Sequence, residues 1–137
     1  MADLLVTLSN PRGPLVYTQS AATKLIEDAQ NDIFNKTAPK VYAVKLDNTA
    51  NTTEAVYVKL YSDTRQDGDP NNGGPTVGTT VPLFVMKAGA GKSVELYMPG
   101  GIGIAGGDYL HVAVVTTGGV AGATDPTGTV ALTITGE

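Results

Sequence analysis

The sequence contains no cysteine and no tryptophan, and it has a single histidine. Without cysteine, neither disulfides nor thiolate metal sites can form. Charged side chains are also scarce, at 16% of the residues, whereas an average soluble domain has about 25%. The nine basic residues are scattered and the net charge is −4. Because a nucleic-acid-binding face needs clustered lysine and arginine, we expect no nucleic acid partner.

Long apolar runs are missing as well. No window of about 18 apolar residues exists, so the sequence predicts no membrane-spanning helix and no membrane partner. The first ten residues, MADLLVTLSN, lack a basic start and are interrupted by Thr7 and Ser9. Since a secretory signal needs a basic start and a continuous apolar run, we expect synthesis in the cytoplasm.

The clearest pattern present is the stretch 41–61, VYAVKLDNTANTTEAVYVKLY. It is typical of two strands joined by a polar turn, because apolar, β-branched and aromatic residues recur at every second position. Such alternation predicts that one face of each strand supplies core. The positions assigned to the core are Tyr42, Val44, Leu46, Val56, Val58 and Leu60.

Four further strands are predicted at 81–87, 93–98, 109–116 and 129–135, separated by turns rich in Gly, Pro, Asn and Asp. Pro82 places the first of these at a sheet edge or a strand start. The inward residues expected here are Val94, Leu96, Met98, Ile102, Ile104, Val130, Leu132 and Ile134. About six to eight strands without intervening helices predict an all-β fold, an antiparallel β-sandwich of jelly-roll or Ig-like type.

The length of 137 residues favours one domain, which we place at residues 39–137. Residues 1–38 are predicted to form an extended N-terminal arm, because the break NPRGP separates two apolar pieces. Such an arm needs a surface to cover it, either on the body or on another molecule. An ordinary first strand followed by a loop is the alternative. The assembly residues of the arm are Leu4, Leu5, Val6, Leu8, Leu15, Val16 and Tyr17.

The sequence pattern of residues 20–36 does not distinguish a helix from a strand. Leu25, Ile26, Ala29 and Ile33 follow helical spacing, and Ser20 has a side chain suited to an N-cap. We predict a short helix near 20–30, with a strand as the alternative.

Two glycine-containing motifs resemble phosphate-binding sequences. Gly101 to Gly106 match GxGxxG, and Gly91-Lys92-Ser93 resembles the end of a P-loop. Both motifs need a following helix whose N-terminus meets the phosphate, but the pattern predicts strands after them. We therefore predict glycine-lined turns and no nucleotide cofactor.

The loop 62–80 is long and polar, and loops of that length are usually functional or mobile. It contains the oxygen ligands Asp67, Asp69, Asn71 and Asn72, but Pro70 breaks the EF-hand pattern. A solvated turn is the preferred interpretation, and a weakly bound calcium ion is the alternative.

No residue constellation indicates catalysis. His111 lies on a predicted strand without a neighbouring acid, base or nucleophile, so neither an enzyme nor a small-molecule substrate is expected. Four tyrosines fall out of phase with the core residues of their strands and predict an exposed contact face, with ordinary cross-strand packing as the alternative. They are Tyr57, Tyr61, Tyr97 and Tyr109.

Three segments together carry a family resemblance. They are VYAVKLDNTANTTEAVYVKLY, VPLFVMKAGAGKSVELYMPGGIGIAGGDYLHVAVV and TTGGVAGATDPTGTVALTI. In this order they resemble small β-sandwich structural proteins of tailed bacteriophages and cyanophages, several of which are capsid decoration (cement) proteins or tail-associated modules. The resemblance covers roughly residues 40–135 and leaves the first 38 uncovered.

The resemblance implies a virion structural protein on the capsid surface. As a decoration protein it would act as a homotrimer, bind the major capsid protein and bridge capsomers without any cofactor. The alternative is a tail- or fibre-associated module that binds a receptor or glycan through the loop 62–80 and the tyrosines.

Overall fold

The computed structural model describes residues 15–21, 37–64 and 75–137. In these ranges the chain forms seven strands and no helix, and every strand pair is antiparallel. The strands are β1 (Leu15–Ala21), β2 (Lys40–Asp47), β3 (Val56–Asp63), β4 (Phe84–Ala88), β5 (Ser93–Gly103), β6 (Tyr109–Val115) and β7 (Val130–Gly136). The predicted all-β fold is confirmed.

The strands form two sheets that enclose one main core. Sheet A has the order β1-β7-β2-β5, and sheet B has the order β4-β3-β6. Strand β4 lies against β2 and β5 of the other sheet. Each fully buried Val, Leu or Ile stabilises the fold by roughly 1.5–3 kcal/mol. The main core contains Val41, Val44, Leu46, Val56, Val58, Leu60, Ala88, Ile104, Leu110, Val112, Val114, Val130, Leu132 and Ile134.

One predicted core residue, Tyr42, is buried as predicted, at 7% exposure, but lies outside the main core cluster. The register of β2 with both neighbours shifts between Val41 and Ala43, which is the mark of a β-bulge. The extra residue changes the phase of the strand, so Val41 joins Val44 in the core cluster and Tyr42 does not. The Tyr42 hydroxyl instead donates a hydrogen bond to Glu137 Oε1 at 3.2 Å.

Strand β5 is only partly covered by sheet B. Leu96 pairs with the fully buried Val44 and therefore lies on the core-facing side, as predicted, yet it is 38% exposed. Val94, Met98 and Ile102 pack against the core and are partly buried. These residues belong to the edge strand of sheet A.

The N-terminal residues that are described belong to the sandwich. Leu15–Ala21 form β1, which pairs with β7 at the edge of sheet A. Leu15, Val16 and Tyr17 are thus part of a strand, which corrects their assignment to a detached arm and matches the alternative. Because Ser20 and Ala21 end β1, Ser20 does not cap a helix. Leu4, Leu5, Val6, Leu8 and residues 22–36 lie outside the described ranges.

None of the described segments contains a helix with the length and hydropathy of a membrane span.

Candidate functional site

The outer face of sheet B is the part of the surface where side chains of several elements converge. Tyr57, Lys59 and Tyr61 alternate along β3 with core residues, so they point away from the core. Lys59 and Tyr61 are nevertheless fully buried. The covering comes from two loops: Val77 packs against Tyr61, and residues 116–124 lie over Lys59.

Lys59 holds the loop 116–124 in place. Its ammonium donates hydrogen bonds to the carbonyl oxygens of Gly119 at 2.6 Å and Gly122 at 2.7 Å. The loop is closed at its base by a bond from Thr116 N to Thr124 O at 2.9 Å. Burial lowers the pKa of Lys59, because both acceptors are neutral carbonyls and desolvation disfavours the charged form.

Glycines permit this loop to lie close to the sheet. A Cβ on Gly118 would come within 2.7 Å of the Tyr57 ring, and a Cβ on Gly122 would overlap the carbonyl oxygen of Thr117. The neighbouring segment 75–80 meets the loop where a Cβ on Gly78 would lie 3.2 Å from that of Ala123. The loop therefore has a defined position on the sheet.

Beside this loop, three apolar side chains face solvent, and we refer to them as the apolar stripe. Val81, Leu83 and Val85 are 73%, 48% and 39% exposed. Val85 alternates along β4 with Phe84 and Met86, which pack against the core, so Val85 lies on the outer side of sheet B. Val81 and Leu83 lie in the segment that leads into β4. Contiguous exposed apolar residues of this kind mark contact sites.

A further exposed apolar residue and a positive charge lie on elements connected to Val85. Val85 is the register partner of Lys59, which anchors the loop that carries Val120, itself 41% exposed. Lys87 is the next outward residue on β4, and its Nζ lies 5.8 Å from the centroid of the Tyr57 ring. This distance is within the range of a cation–π contact.

The outer face of sheet A has a different character. Lys45 pairs there with Glu95 on one side and Thr133 on the other. Paired residues share a face, and Lys45 and Glu95 are exposed. The outer face of sheet A is therefore charged where β2 and β5 pair, whereas that of sheet B carries Val85 of the apolar stripe.

The four tyrosines do not form one exposed face. Tyr61 is 0% exposed, and its buried hydroxyl has no hydrogen-bond partner among the described residues. Tyr57 is half-buried beneath Gly118, and Tyr109 lies at the start of β6 opposite Asp63. Tyr97 pairs with Ala43 in sheet A, on the other side of the molecule. The prediction of a tyrosine contact face is thus corrected.

The apolar stripe was missed in the sequence, although signals for it exist. The run VPLFVMK predicts one apolar strand, but its apolar residues fall on both faces. Pro82 correctly predicted an edge position, since β4 is an edge strand of sheet B. An edge strand with apolar residues on both faces leaves one of those faces without core to cover it.

The phosphate-binding motifs have the predicted strand contexts. Gly101, with a φ of 70°, lies within β5 and is followed by β6. Gly91, with a φ of 68°, forms the turn that precedes β5. Neither motif begins a helix, so neither has the geometry of a phosphate cradle.

The potential catalytic residues are separated by the sheet. Ser62 Oγ donates to Asp108 Oδ2 at 2.6 Å, and Ser62 pairs with Leu110. His111 pairs with Tyr61, so its side chain lies on the opposite face of sheet B from Ser62. No described residues form a group of three or more metal-ligating side chains. Asp67, Asp69, Asn71 and Asn72 lie outside the described ranges.

A hydrogen-bond network fixes the opposite end of the sandwich. The Glu54 carboxylate accepts bonds from Thr127 N, Thr127 Oγ1 (2.8 Å) and Asn51 Nδ2 (3.1 Å). Asn48 Nδ2 donates to the carbonyls of Glu54 and Gly89. The bond from the Thr127 backbone is the main reason that the pKa of Glu54 is lowered. Hydrogen bonds therefore join the three loops at this end, those around residues 48–54, 89 and 127.

No protein-family model, curated protein or solved structure matches the chain.

Proposed function

We propose that the protein is a virion structural protein of a tailed phage, most specifically a capsid decoration protein that stabilises the head as a homotrimer. The observation that carries the proposal is the apolar stripe Val81, Leu83 and Val85 on the surface of an all-β body. Its exposure is unfavourable in water and is removed by assembly.

The stripe supports binding by contact area. Fully burying one Val or Leu side chain contributes roughly 1.5–3 kcal/mol, so even partial burial of three such residues gives a useful interface. In a trimer each contact is repeated, and the later contacts become intramolecular. A modest surface on each subunit then holds neighbouring capsomers together firmly.

The surroundings of the stripe favour a preformed contact surface. Lys59 fixes the loop that carries Val120, and the Glu54 network fixes the opposite end of the body. A surface that is ordered before binding loses little conformational entropy on assembly. In this proposal the polar outer face of sheet A remains in contact with solvent.

The location of the protein on the particle tests the proposal. Antibody raised against the protein should label purified phage particles on the head surface in immunogold electron microscopy. Label confined to the tail or fibres would favour the receptor- or glycan-binding alternative. Particles that carry no label at either place would contradict both.

A pair of variants tests the role of the stripe. Leu83→Asp should reduce the amount of protein retained on heads by about tenfold or more, since a hot-spot change of this kind costs at least 1–2 kcal/mol. Thr133→Asp, on the outer face of sheet A, is the matched control and should be retained like the unmodified protein. Equal retention of both variants would exclude the stripe from the interface.

A further inference from the structure

We propose that the loop 116–124 is a lid, which opens as a unit while the sandwich stays folded. Its opening exposes the Lys59 side chain on the outer face of sheet B. This inference goes beyond the proposed function and does not depend on it, because it concerns only contacts within one copy of the chain.

The first observation is that the loop has little apolar burial of its own. None of the residues 116–124 is buried, and Val120, Ala121 and Ala123 are exposed. Segments with few buried apolar contacts open at a lower free energy than core strands do. The loop therefore depends on a small number of specific contacts to stay on the sheet.

The second observation is that the loop is closed on itself. Thr116 N donates to Thr124 O at 2.9 Å, and Gly122 N donates to Gly119 O at 2.9 Å. Both bonds are internal to the loop, so they persist when the loop moves as a whole. The loop lies between β6 and β7 and takes part in none of the described strand pairs. Lifting it therefore leaves those pairs intact.

The third observation is the way in which the loop is fastened to the sheet. Among the described residues, the hydrogen bonds between the two come from Lys59 Nζ, which donates to the carbonyls of Gly119 and Gly122. The other close approach is that of Gly118 to the Tyr57 ring, where the loop offers no side chain to pack. One lysine side chain is therefore the latch of the lid.

This latch holds the lid only moderately, because it buries an amine among neutral groups. Both of its acceptors are backbone carbonyls, and the register partners of Lys59 on β4 and β6 are the apolar Val85 and Ala113. Desolvation lowers the pKa of Lys59, which means that closing the loop over the ammonium costs free energy. Opening returns the ammonium to water and so offsets part of the loss of its two hydrogen bonds.

Opening changes the chemistry of the face that carries Val85. In the closed state the Lys59 amine is fully buried beneath the loop. In the open state its charge and the Tyr57 ring are uncovered beside Val85, and Lys87 is the next outward residue on β4. The lid therefore switches this part of the surface from a neutral to a cationic one.

Acetylation of the natural chain with N-hydroxysuccinimide acetate, measured by mass spectrometry of its peptides, tests the proposal. Lys45 and Lys92 are exposed and should react without delay. Lys59 should react roughly 10- to 1000-fold more slowly, because its amine is reached only in an open state populated at about 0.1–10%. Below the unfolding transition, the Lys59 rate should change by less than about twofold per molar urea, since opening the lid exposes little surface.

A matched pair of glycine variants tests whether the loop controls this reaction. Gly122→Ala forces the loop to shift, because the new Cβ would overlap the Thr117 carbonyl. It should raise the Lys59 rate by roughly fivefold or more. Gly119→Ala should leave the rate unchanged, since nothing lies within 4 Å of the corresponding Cβ.

Three results would overturn the proposal. One is a Lys59 rate equal to that of Lys45, which would mean that the loop does not cover the amine. The second is a Lys59 that reacts only through global unfolding, with a rate that rises by roughly fivefold or more per molar from the first addition of urea. The third is an equal response of the rate to Gly122→Ala and Gly119→Ala. Phage particles without immunogold label would refute the virion function and leave these rates as predicted.

Discussion

Lys59 is the residue whose environment differs most from what its sequence position indicates. It occupies an outward position on β3, where a lysine normally reaches water, yet it is fully buried beneath the loop 116–124. The alternation of β3 correctly predicts its direction. The burial depends on a loop that lies about 60 residues later in the chain, and local periodicity carries no information about that contact.

Replacing Lys59 tests the strength of this anchor. Lys59→Met should lower the free energy of unfolding by about 1–3 kcal/mol, because the carbonyls of Gly119 and Gly122 lose their donor. Lys92→Met, at an exposed position in the turn before β5, should change it by less than about 0.5 kcal/mol. Urea denaturation measures both values. Equal stability of the two variants would show that the ammonium contributes nothing.

The lowered pKa of Glu54 predicts that the free energy of unfolding depends on pH. Its pKa is lowered from 4.5 mainly by the Thr127 backbone bond, so the unfolded chain binds more protons than the folded chain in this range. The stabilisation is therefore complete above pH 4.5 and is lost as the pH falls through the lowered pKa.

A pair of glutamate variants measures this effect. Glu54→Gln should destabilise the protein by about 1–3 kcal/mol at pH 7, since bonds to a charged acceptor are stronger than bonds to a neutral one. The difference from the unmodified protein should shrink as the pH is lowered below 4.5. Glu95→Gln, at an exposed position on β5, serves as the control. A difference that is constant from pH 7 to pH 3 would contradict the assignment.

At the scale of single elements, most strands are predictable from the sequence. The two features that are not, β1 and the bulge at Tyr42, have physical causes. Strands β2 to β7 follow the period of two in the sequence. β1 was missed in favour of an arm because NPRGP precedes it, and a local break does not exclude a strand that begins just after it. The bulge at Tyr42 was also unpredictable, since an inserted residue changes the phase without any change in composition.

The close approach of the loop 116–124 to the sheet predicts a contrast between two of its glycines. Gly122→Ala should cost about 1–3 kcal/mol, because the new Cβ would overlap the Thr117 carbonyl and the loop must shift. Gly119→Ala should be nearly neutral, since nothing lies within 4 Å of the corresponding Cβ. Thermal unfolding compares them. A larger loss for Gly119→Ala would show that the loop is positioned differently.

The boundary between β1 and the segment before it predicts two different truncation results. Removing residues 1–14 should leave the sandwich folded, because β1 and its seven pairs with β7 remain. Removing residues 1–21 should lower the melting temperature further, because the edge of sheet A is lost. Calorimetry on both truncated chains measures this. Equal melting temperatures would mean that β1 contributes nothing to the sandwich.

At the scale of the whole molecule, the two broad faces are unequal. The outer face of sheet A carries Lys45 opposite Glu95 and Thr133, whereas that of sheet B carries Val85 of the apolar stripe and the loop held by Lys59. The sequence predicted the fold class but placed the contact face on the tyrosines. Their exposure depends on the order of strands across two sheets and on loop coverage, which no single strand encodes.

The proposed function requires identical subunits to assemble, and the mass of the purified protein in solution tests this most directly. A trimer of the 14.0 kDa chain has a mass of 3 × 14.0 = 42.0 kDa. Light scattering coupled to size-exclusion chromatography should give this value for the natural chain and a lower one for Leu83→Asp. A mass of 14.0 kDa for the natural chain at concentrations well above micromolar would contradict the proposed trimer.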